Sequence, residues 1–491
     1  MLFLALLTLG CSCAERESSR SPSARRTAKG GEALLVDWPV LPETLILSDQ
    51  KALSAALDSA TASRQHRPVS TGGDVLVVVL DTVRADHLGM YGYPEETSPR
   101  LDRWAAGARV WDNAWTDAPW TLPAHASMFT GKSQREHGAR SVGRDDPRKG
   151  APLADGQDTV AERLRDAGWR TVGIAGNLAF LHPSYGLDQG FDVWMNDGLD
   201  RDPRGVPYLA ADRVIAMADQ ALKEEDPRPL LLFLNLMDAH RPYKARRGYV
   251  KRPERLRKGL PGTRGYQKVV KSLLKGGTLD AAVRDSWIEA YDSELRFVDD
   301  HLGQFLDRAG RFEHVFILAD HGEYLGEHGL VEHAKDVYEP VLHVPFLAKG
   351  SGFEAGRDPA PIQTHDLGAM ILTAAGLSAK GFQRTETVQV ADLYYTLKKD
   401  LMAPYGARFD RIRRAFRVGP HKLITGDDGS REIYDLGADP GELAPLAELP
   451  ASLQGIDATW LAAHPEVELV PVGEGELGPD EALLKALGYA E

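Results

Sequence analysis

Trp120-Thr121-Leu122-Pro123-Ala124-His125-Ala126-Ser127-Met128-Phe129-Thr130-Gly131 places the hydroxyl of Thr121 beside a helix started by Pro123. A helix N-terminus carries partial positive charge and unpaired N–H groups, so a hydroxyl there stands where an anion would be held. The same place also suits threonine as a plain helix cap, and the segment alone leaves both readings open.

Outward from this stretch, apolar runs of strand length alternate with helical patterns. The runs are Val75 to Leu80, Thr171 to Ala175, Leu230 to Leu236, Val315 to Ala319 and Val344 to Ala348; the helical patterns include Tyr208 to Lys223 and Arg284 to Ala309. Runs apolar on both faces suit a parallel sheet covered by helices, which predicts an α/β sandwich. After about Asp400 the texture changes to short segments around Phe416-Arg417-Val418, His421 to Thr425 and Glu432 to Leu436, with Asp427-Asp428-Gly429 as a turn. These predict a small antiparallel unit closed by a helix near Asp480 to Leu487.

Open parallel sheets gather ligands at the carboxyl ends of their strands. Asp81 ends the first run, Asp238-Ala239-His240 follows the third, and Asp320-His321-Gly322-Glu323 follows the fourth. Such Asp and His clusters offer the oxygen and nitrogen donors of a divalent cation. For Asp81 alone, capping of the next helix is an equal alternative.

Taken in order, Leu80-Asp81-Thr82-Val83-Arg84-Ala85-Asp86-His87-Leu88-Gly89-Met90-Tyr91-Gly92, the Thr121 segment, Asp238-Ala239-His240-Arg241-Pro242-Tyr243, Tyr291-Asp292-Ser293-Glu294 and Asp320-His321-Gly322-Glu323-Tyr324-Leu325-Gly326-Glu327-His328-Gly329 resemble the motifs of the sulfatase family. The resemblance runs from about Asp74 to Leu446. It implies an alkaline-phosphatase-like α/β fold with a mostly parallel central sheet and a small C-terminal antiparallel α+β subdomain. It also implies one divalent metal, calcium by family likeness, with manganese or zinc compatible with a histidine ligand. By position, Asp81, Asp320 and His321 resemble the metal ligands, Thr121 completes the sphere, and Thr82 stands where many members have a second aspartate. His240 matches a histidine that contacts the transferring group, and an imidazole there suits a general acid. His333 or Lys335 matches a cationic contact. His125 replaces an arginine, and Asn177 a lysine, so the pocket loses fixed positive charge.

Thr121 itself occupies the position of the family's formylglycine-forming cysteine or serine. Threonine cannot become that aldehyde and has no second hydroxyl to expel sulfate by elimination. Related folds with threonine nucleophiles carry out phosphoryl chemistry, so the resemblance implies an ester hydrolase acting on a sulfate or on a phosphate or phosphonate. A phospho-group transferase of the envelope and a noncatalytic binding protein are the alternatives.

The net charge of −13 excludes a nucleic-acid partner as the first expectation. The segment Arg241 to Lys275 runs against that average: it holds Lys251, Arg255, Arg257, Lys258, Lys268, Lys271 and other cations, with one acid, Glu254. Within it Tyr266, Val269, Val270, Leu273 and Leu274 recur at helical spacing opposite Lys268, Lys271 and Lys275. This is either a surface helix packed on the domain or a cationic lid that recruits an anionic polymer or lipid headgroup. Both cysteines, Cys11 and Cys13, lie in an apolar opening that reads as an export signal, and Gly10-Cys11 resembles a lipoprotein processing site. The expected organisation is a leader and tether over 1–30, an extension over 31–73, a catalytic domain over 74–400 with a basic insertion at 241–283, and a C-terminal subdomain over 401–491. The expected location is the periplasm or outer membrane of a bacterium, with attachment through Cys11.

Overall fold

The computed structural model describes residues 32–62, 73–142, 150–196, 202–204, 206–261, 265–384, 387–395 and 408–470. The leader with Cys11 and Cys13, and the helix expected near Asp480 to Leu487, lie outside the described residues.

Val75-Leu76-Val77-Val78-Val79-Leu80 forms strand β1 (Val75–Leu80), buried at every position. Its β-branched side chains favour extended backbone, and burial on both faces requires cover on both. The further strands of the main sheet are β2 (Arg109–Trp115), β3 (Arg170–Ala175), β4 (Val193–Met195), β5 (Leu230–Leu236) and β6 (His314–Ala319). The short β7 (Tyr324–Leu325) and β8 (Val331–Glu332) pair with each other, and β9 (Phe346–Lys349) and β10 (Gly356–Gln363) complete the main sheet. Its order is β10-β2-β9-β6-β1-β5-β3-β4.

All pairings in this sheet are parallel except those of β9, which runs antiparallel to both β6 and β2. An apolar run does not encode direction, so the Val344 to Ala348 segment reads from sequence like its parallel neighbours. The edge strand β10 contains Pro359 and Pro361 and has a register shift between Asp358 and Pro361, as suits a position where one side needs no ladder partner. Two helix groups cover the sheet. Helices Glu43–Ala62, Ala211–Lys223, Ala281–Arg308 and Pro99–Ala105 pack among themselves, as do Thr121–Thr130, Val160–Asp166 and Asp366–Ala374.

The second sheet is β11 (Gln389–Tyr394), β12 (Ile412–Val418), β13 (His421–Gly426) and β14 (Arg431–Asp435), antiparallel and in chain order. Gly429, at φ 82°, forms the turn between β13 and β14. The first strand lies upstream of residue 401, so this sheet draws on chain that the sequence texture assigns to the preceding domain. Val390, Phe416, Leu423, Leu453 and Trp460 form its own small core. It is tied to the larger body by Lys422, fully buried between Glu339 (2.9 Å) and Glu442 (2.7 Å).

Phe233 on β5 stacks on Trp194 (centroids 5.7 Å apart, 16° between planes) and meets Phe129 and His125 of helix Thr121–Thr130 edge-on at 5.2 and 5.9 Å. This contact seats the helix on the sheet. Phe233→Ala is expected to cost about 3–5 kcal/mol in denaturant unfolding, and Phe233→Leu to recover most of that; a loss under about 1 kcal/mol for the alanine variant contradicts this role.

Candidate metal centre and nucleophile site

The strand order sets neighbouring carboxyl ends side by side. β1 pairs with β6 so that Leu80 faces Ala319, and with β5 so that Leu80 faces Leu236. The next residues out are Asp81 and Asp320, on strands that lie about 4.8 Å apart. Asp81, Asp320 and His321, all fully buried, bring one donor atom each within 4.8 Å of one another. Among the described residues this is the one group of three or more His, Cys, Asp and Glu side chains so arranged.

Each of these residues is anchored by one part and leaves another unpaired. Asp320 Oδ1 accepts from the backbone N–H of His321 (2.9 Å) and of Thr82 (3.3 Å), whereas Oδ2 has no partner. Asp81 Oδ2 accepts from Asn177 Nδ2 (3.1 Å), and Oδ1 is unpartnered. The His321 Nδ1–H donates to the Gly322 carbonyl (2.9 Å), which leaves a lone pair on Nε2, also unpartnered. His321 Nε2 lies 3.5 Å from Asp320 Oδ2 and 3.9 Å from Asp81 Oδ1. Buried polar atoms are ordinarily paired, so three orphans aimed together fit a cation. Burial, with mutual repulsion for Asp81, pushes both carboxyls up to about 8, while burial lowers His321.

Thr82 joins through its backbone. Its hydroxyl donates to the Asp81 carbonyl (2.7 Å), so the side chain that stands in place of the second aspartate is turned onto main chain. Its φ of 60° is costly for a β-branched residue. Tyr291 holds that conformation: its hydroxyl donates to the Thr82 carbonyl (2.8 Å) and accepts from the Arg84 N–H (3.0 Å). The neighbouring Asp292 accepts from His87 and Tyr93, each at 2.8 Å. Asp238 is not part of the cluster. Its Oδ1 pairs with Arg246 at 2.6 Å and its Oδ2 accepts from the Ala211 N–H, so the third strand-end aspartate is a scaffold residue.

Thr121 is the first residue of helix Thr121–Thr130, two residues earlier than Pro123, with Trp120 in the capping position. The threonine is therefore not the cap. Asn177, in the loop after β3, donates from one amide nitrogen to both Thr121 Oγ1 (3.3 Å) and Asp81 Oδ2 (3.1 Å). Asn177 is itself fixed by Asn235 Oδ1 on its N–H and by Asn196 on its carbonyl. The sequence marks it only as a lost lysine; what it becomes, the link between nucleophile candidate and carboxylate, depends on the β3 loop meeting helix Thr121–Thr130.

The remaining candidates are mostly imidazoles, each held through Nδ1. The Nδ1–H of His125 donates to the Thr121 carbonyl (2.9 Å), that of His240 to the Arg241 carbonyl (2.6 Å), and that of His333 to Glu323 (2.9 Å). The His333 ring lies 4.4 Å from His321 and 5.1 Å from His240, centroid to centroid. Burial drives His125 and His240 down to about 3 and His333 well below its usual range. Lys335 is not a free charge beside them. Its Nζ binds Glu332 (2.9 Å), which also holds Arg241 (2.8 Å) and accepts from the Tyr266 hydroxyl (2.9 Å). Of the two candidate cations, His333 therefore lines the site and Lys335 braces its wall.

The model of the sulfatase family matches residues 73–377, and the chain belongs to that family. It is 24% identical over 409 residues to a choline-sulfatase of Rhizobium meliloti, covering 72% of this chain and 78% of that protein. It is 22% identical over 411 residues to an ulvan-active sulfatase of Formosa agariphila, covering 77% and 78%. Among solved structures, a phosphonate monoester hydrolase of Agrobacterium radiobacter superposes with a TM-score of 0.60 at 16% identity, over 80% of this chain and 94% of the other. That likeness is one of fold, and the fold is the expected α/β sandwich.

The buried groups dictate a pH dependence. Carboxyls raised to about 8 stabilise the metal-free fold below their unfolded pKa near 4, and that contribution is lost as pH rises through 8. Depressed histidines act oppositely, since the unfolded chain takes up their protons below about 6.5. From these groups metal-free protein is expected to lose stability between pH 6.5 and 8. A cation that displaces the two protons should raise the melting temperature more at pH 8 than at pH 6.5. Equal shifts at the two pH values, or a full shift in Asp320→Asn, would count against the site.

Proposed function

We propose that the chain is a metal-dependent ester hydrolase in which Thr121 attacks as an unmodified residue, on a sulfate, phosphate or phosphonate ester. The supporting observation is that one amide, Asn177, bridges the Thr121 hydroxyl to Asp81 beside three orphaned buried donors. Asp81, Asp320 and His321 would hold a divalent cation, which would supply Lewis acidity toward the ester oxygen and a lower pKa for the Thr121 hydroxyl. Calcium follows from family likeness; the imidazole ligand also suits manganese or zinc.

The chain's own residues perform the remaining tasks. Asn177 orients Thr121 Oγ1, and the N–H groups opening helix Thr121–Thr130 face the transferring anion. His240, neutral with its proton on Nδ1, would take the proton that Thr121 Oγ1 loses on attack and pass it to the leaving oxygen. His125, where the family has arginine, contributes a neutral ring whose Nε2 has no partner. His333, set by Glu323, lies beside His321 and His240.

The nucleophile decides between ester classes. Attack forms the Thr121 Oγ1–phosphorus bond and breaks the bond to the leaving oxygen, and in-line attack by water then releases phosphate or phosphonate. A sulfated Thr121 has no second hydroxyl from which elimination can expel sulfate, so the threonine favours the phosphorus esters. An acceptor hydroxyl in place of water would give a transferase. The chain is further proposed to be exported and tethered through Cys11.

Purified protein with calcium, manganese or zinc, screened against aryl sulfate, phosphomonoester, phosphodiester and phosphonate, tests this reading. The Thr121 peptide should have the mass of threonine. Thr121→Ser should keep activity within about tenfold, and Thr121→Ala should lose on the order of a thousandfold. Equal rates for Thr121→Ala and the parent would leave Thr121 a structural role only.

A further inference from the structure

The basic segment after His240 folds as two pieces against one stretch of helix Ala281–Arg308. Arg257 N–H donates to Ser286 Oγ (2.8 Å), Trp287 Nε1 to the Gly259 carbonyl (3.0 Å), and the Tyr266 ring packs on Trp287 at 5.4 Å. The second piece is helix Tyr266–Leu274, whose Tyr266, Val270 and Leu273 are buried in the main core. Its apolar stripe is therefore structural. Its other face is not accounted for by packing: Lys268, Lys271 and Lys275 are exposed, as are Lys251 and Lys258 of the first piece. Among the described residues none of these five lysines has a carboxylate partner, although the chain as a whole carries net charge −13.

The N-terminal end of the described chain arrives at the first of these pieces, which carries Lys251 and Lys258. The one-turn helix Glu32–Leu34 packs against Pro253–Arg255, and Val36 exchanges backbone hydrogen bonds with Ala245 (3.1 Å) and Arg247 (2.8 Å). Roughly 20 residues separate Cys11 from Glu32, and a chain of that length composed as a linker spans about 25 Å on average. A chain attached at Cys11 would hold the piece around Pro253–Arg255, with Lys251 and Lys258 on either side of it in sequence, close to its anchor.

The geometry points to this face as a docking surface for an anionic lipid bilayer. Charge complementarity and the entry point of the tether beside the cations select a membrane over other polyanions. The face adjoins the site, because Tyr266, which opens the lysine-bearing helix, donates to Glu332 in the wall that also holds Lys335 and Arg241. Docking would turn that wall toward the headgroups. The inference shares the Cys11 tether with the preceding section but not the chemistry at Thr121, so its test needs no turnover.

The full chain carrying Cys11→Ser, which has no residue to lipidate at that position, is to be sedimented with vesicles of phosphatidylcholine alone or with added phosphatidylglycerol. Binding is expected only to the anionic vesicles and is expected to weaken steeply with salt, since the attraction is screened over about 10 Å at 0.1 M. Lys268→Gln, Lys271→Gln and Lys275→Gln together should weaken it about a hundredfold, at roughly fivefold per cation near a charged surface. The unchanged melting temperature of the triple variant serves as the folding control. No preference for anionic vesicles, or equal binding by the triple variant, overturns the inference. Dextran sulfate bound more tightly than the anionic vesicles, and lost in the same variant, also overturns it and assigns the face to a polymer.

Discussion

Two carboxylates brought together in a dry interior are the constraint on which the rest of this structure depends. Burying a single ionised carboxylate is costly, and placing a second one beside it adds repulsion that the low dielectric does not screen. Here the arrangement is imposed by the sheet. β1 and β6 are neighbours in register, both buried along their whole length, and each ends in aspartate at the same level. The fold can hold Asp81 and Asp320 either protonated or around a cation, and the Nε2 lone pair of His321 suits the cation.

The backbone near this pair is in places strained. Thr82, Glu332 and Ala334 all have positive φ, and none is glycine. Tyr291 fixes the first through two hydrogen bonds, while Glu332 is held by Arg241, Lys335 and Tyr266. Gly322 is required for space rather than for torsion: a Cβ there would lie 2.1 Å from the Pro340 carbonyl oxygen. Strain of this kind persists only where surrounding packing over-determines it, and it clusters at sites that must be preorganised.

The site is unusual in how little fixed positive charge faces it. Four imidazoles, His125, His240, His321 and His333, each donate Nδ1–H to an oxygen, and burial keeps them neutral. Asn177 supplies an amide where the family resemblance implies a lysine, and Lys335 shares Glu332 with Arg241. In the proposed reading, affinity for an anion would rest chiefly on the helix N-terminus and a bound cation. The unpaired lysines are instead on the outer face, on the helix whose first residue braces the site wall.

Sequence alone determined the layers and the strand-end residues of the candidate cluster. Apolar runs such as Val75 to Leu80 and Leu230 to Leu236 are legible because burial on both faces leaves no polar alternation, and an Asp or His directly after such a run lands at the carboxyl end of a strand. Asp81, Asp320 and His321 were readable for that reason. Tertiary structure decided what spacing along the chain does not carry. It reversed β9, because hydrophobicity has no direction, and it recruited β11 into the second sheet across the expected boundary. It also paired Asp238 with Arg246 instead of the cluster. It made Asn177 the bridge between Thr121 and Asp81, and it gave the His333 ring to Glu323 and the Lys335 ammonium to Glu332. Each of these depends on which loop meets which strand end, and that is set by the sheet order and the packing of helices on it.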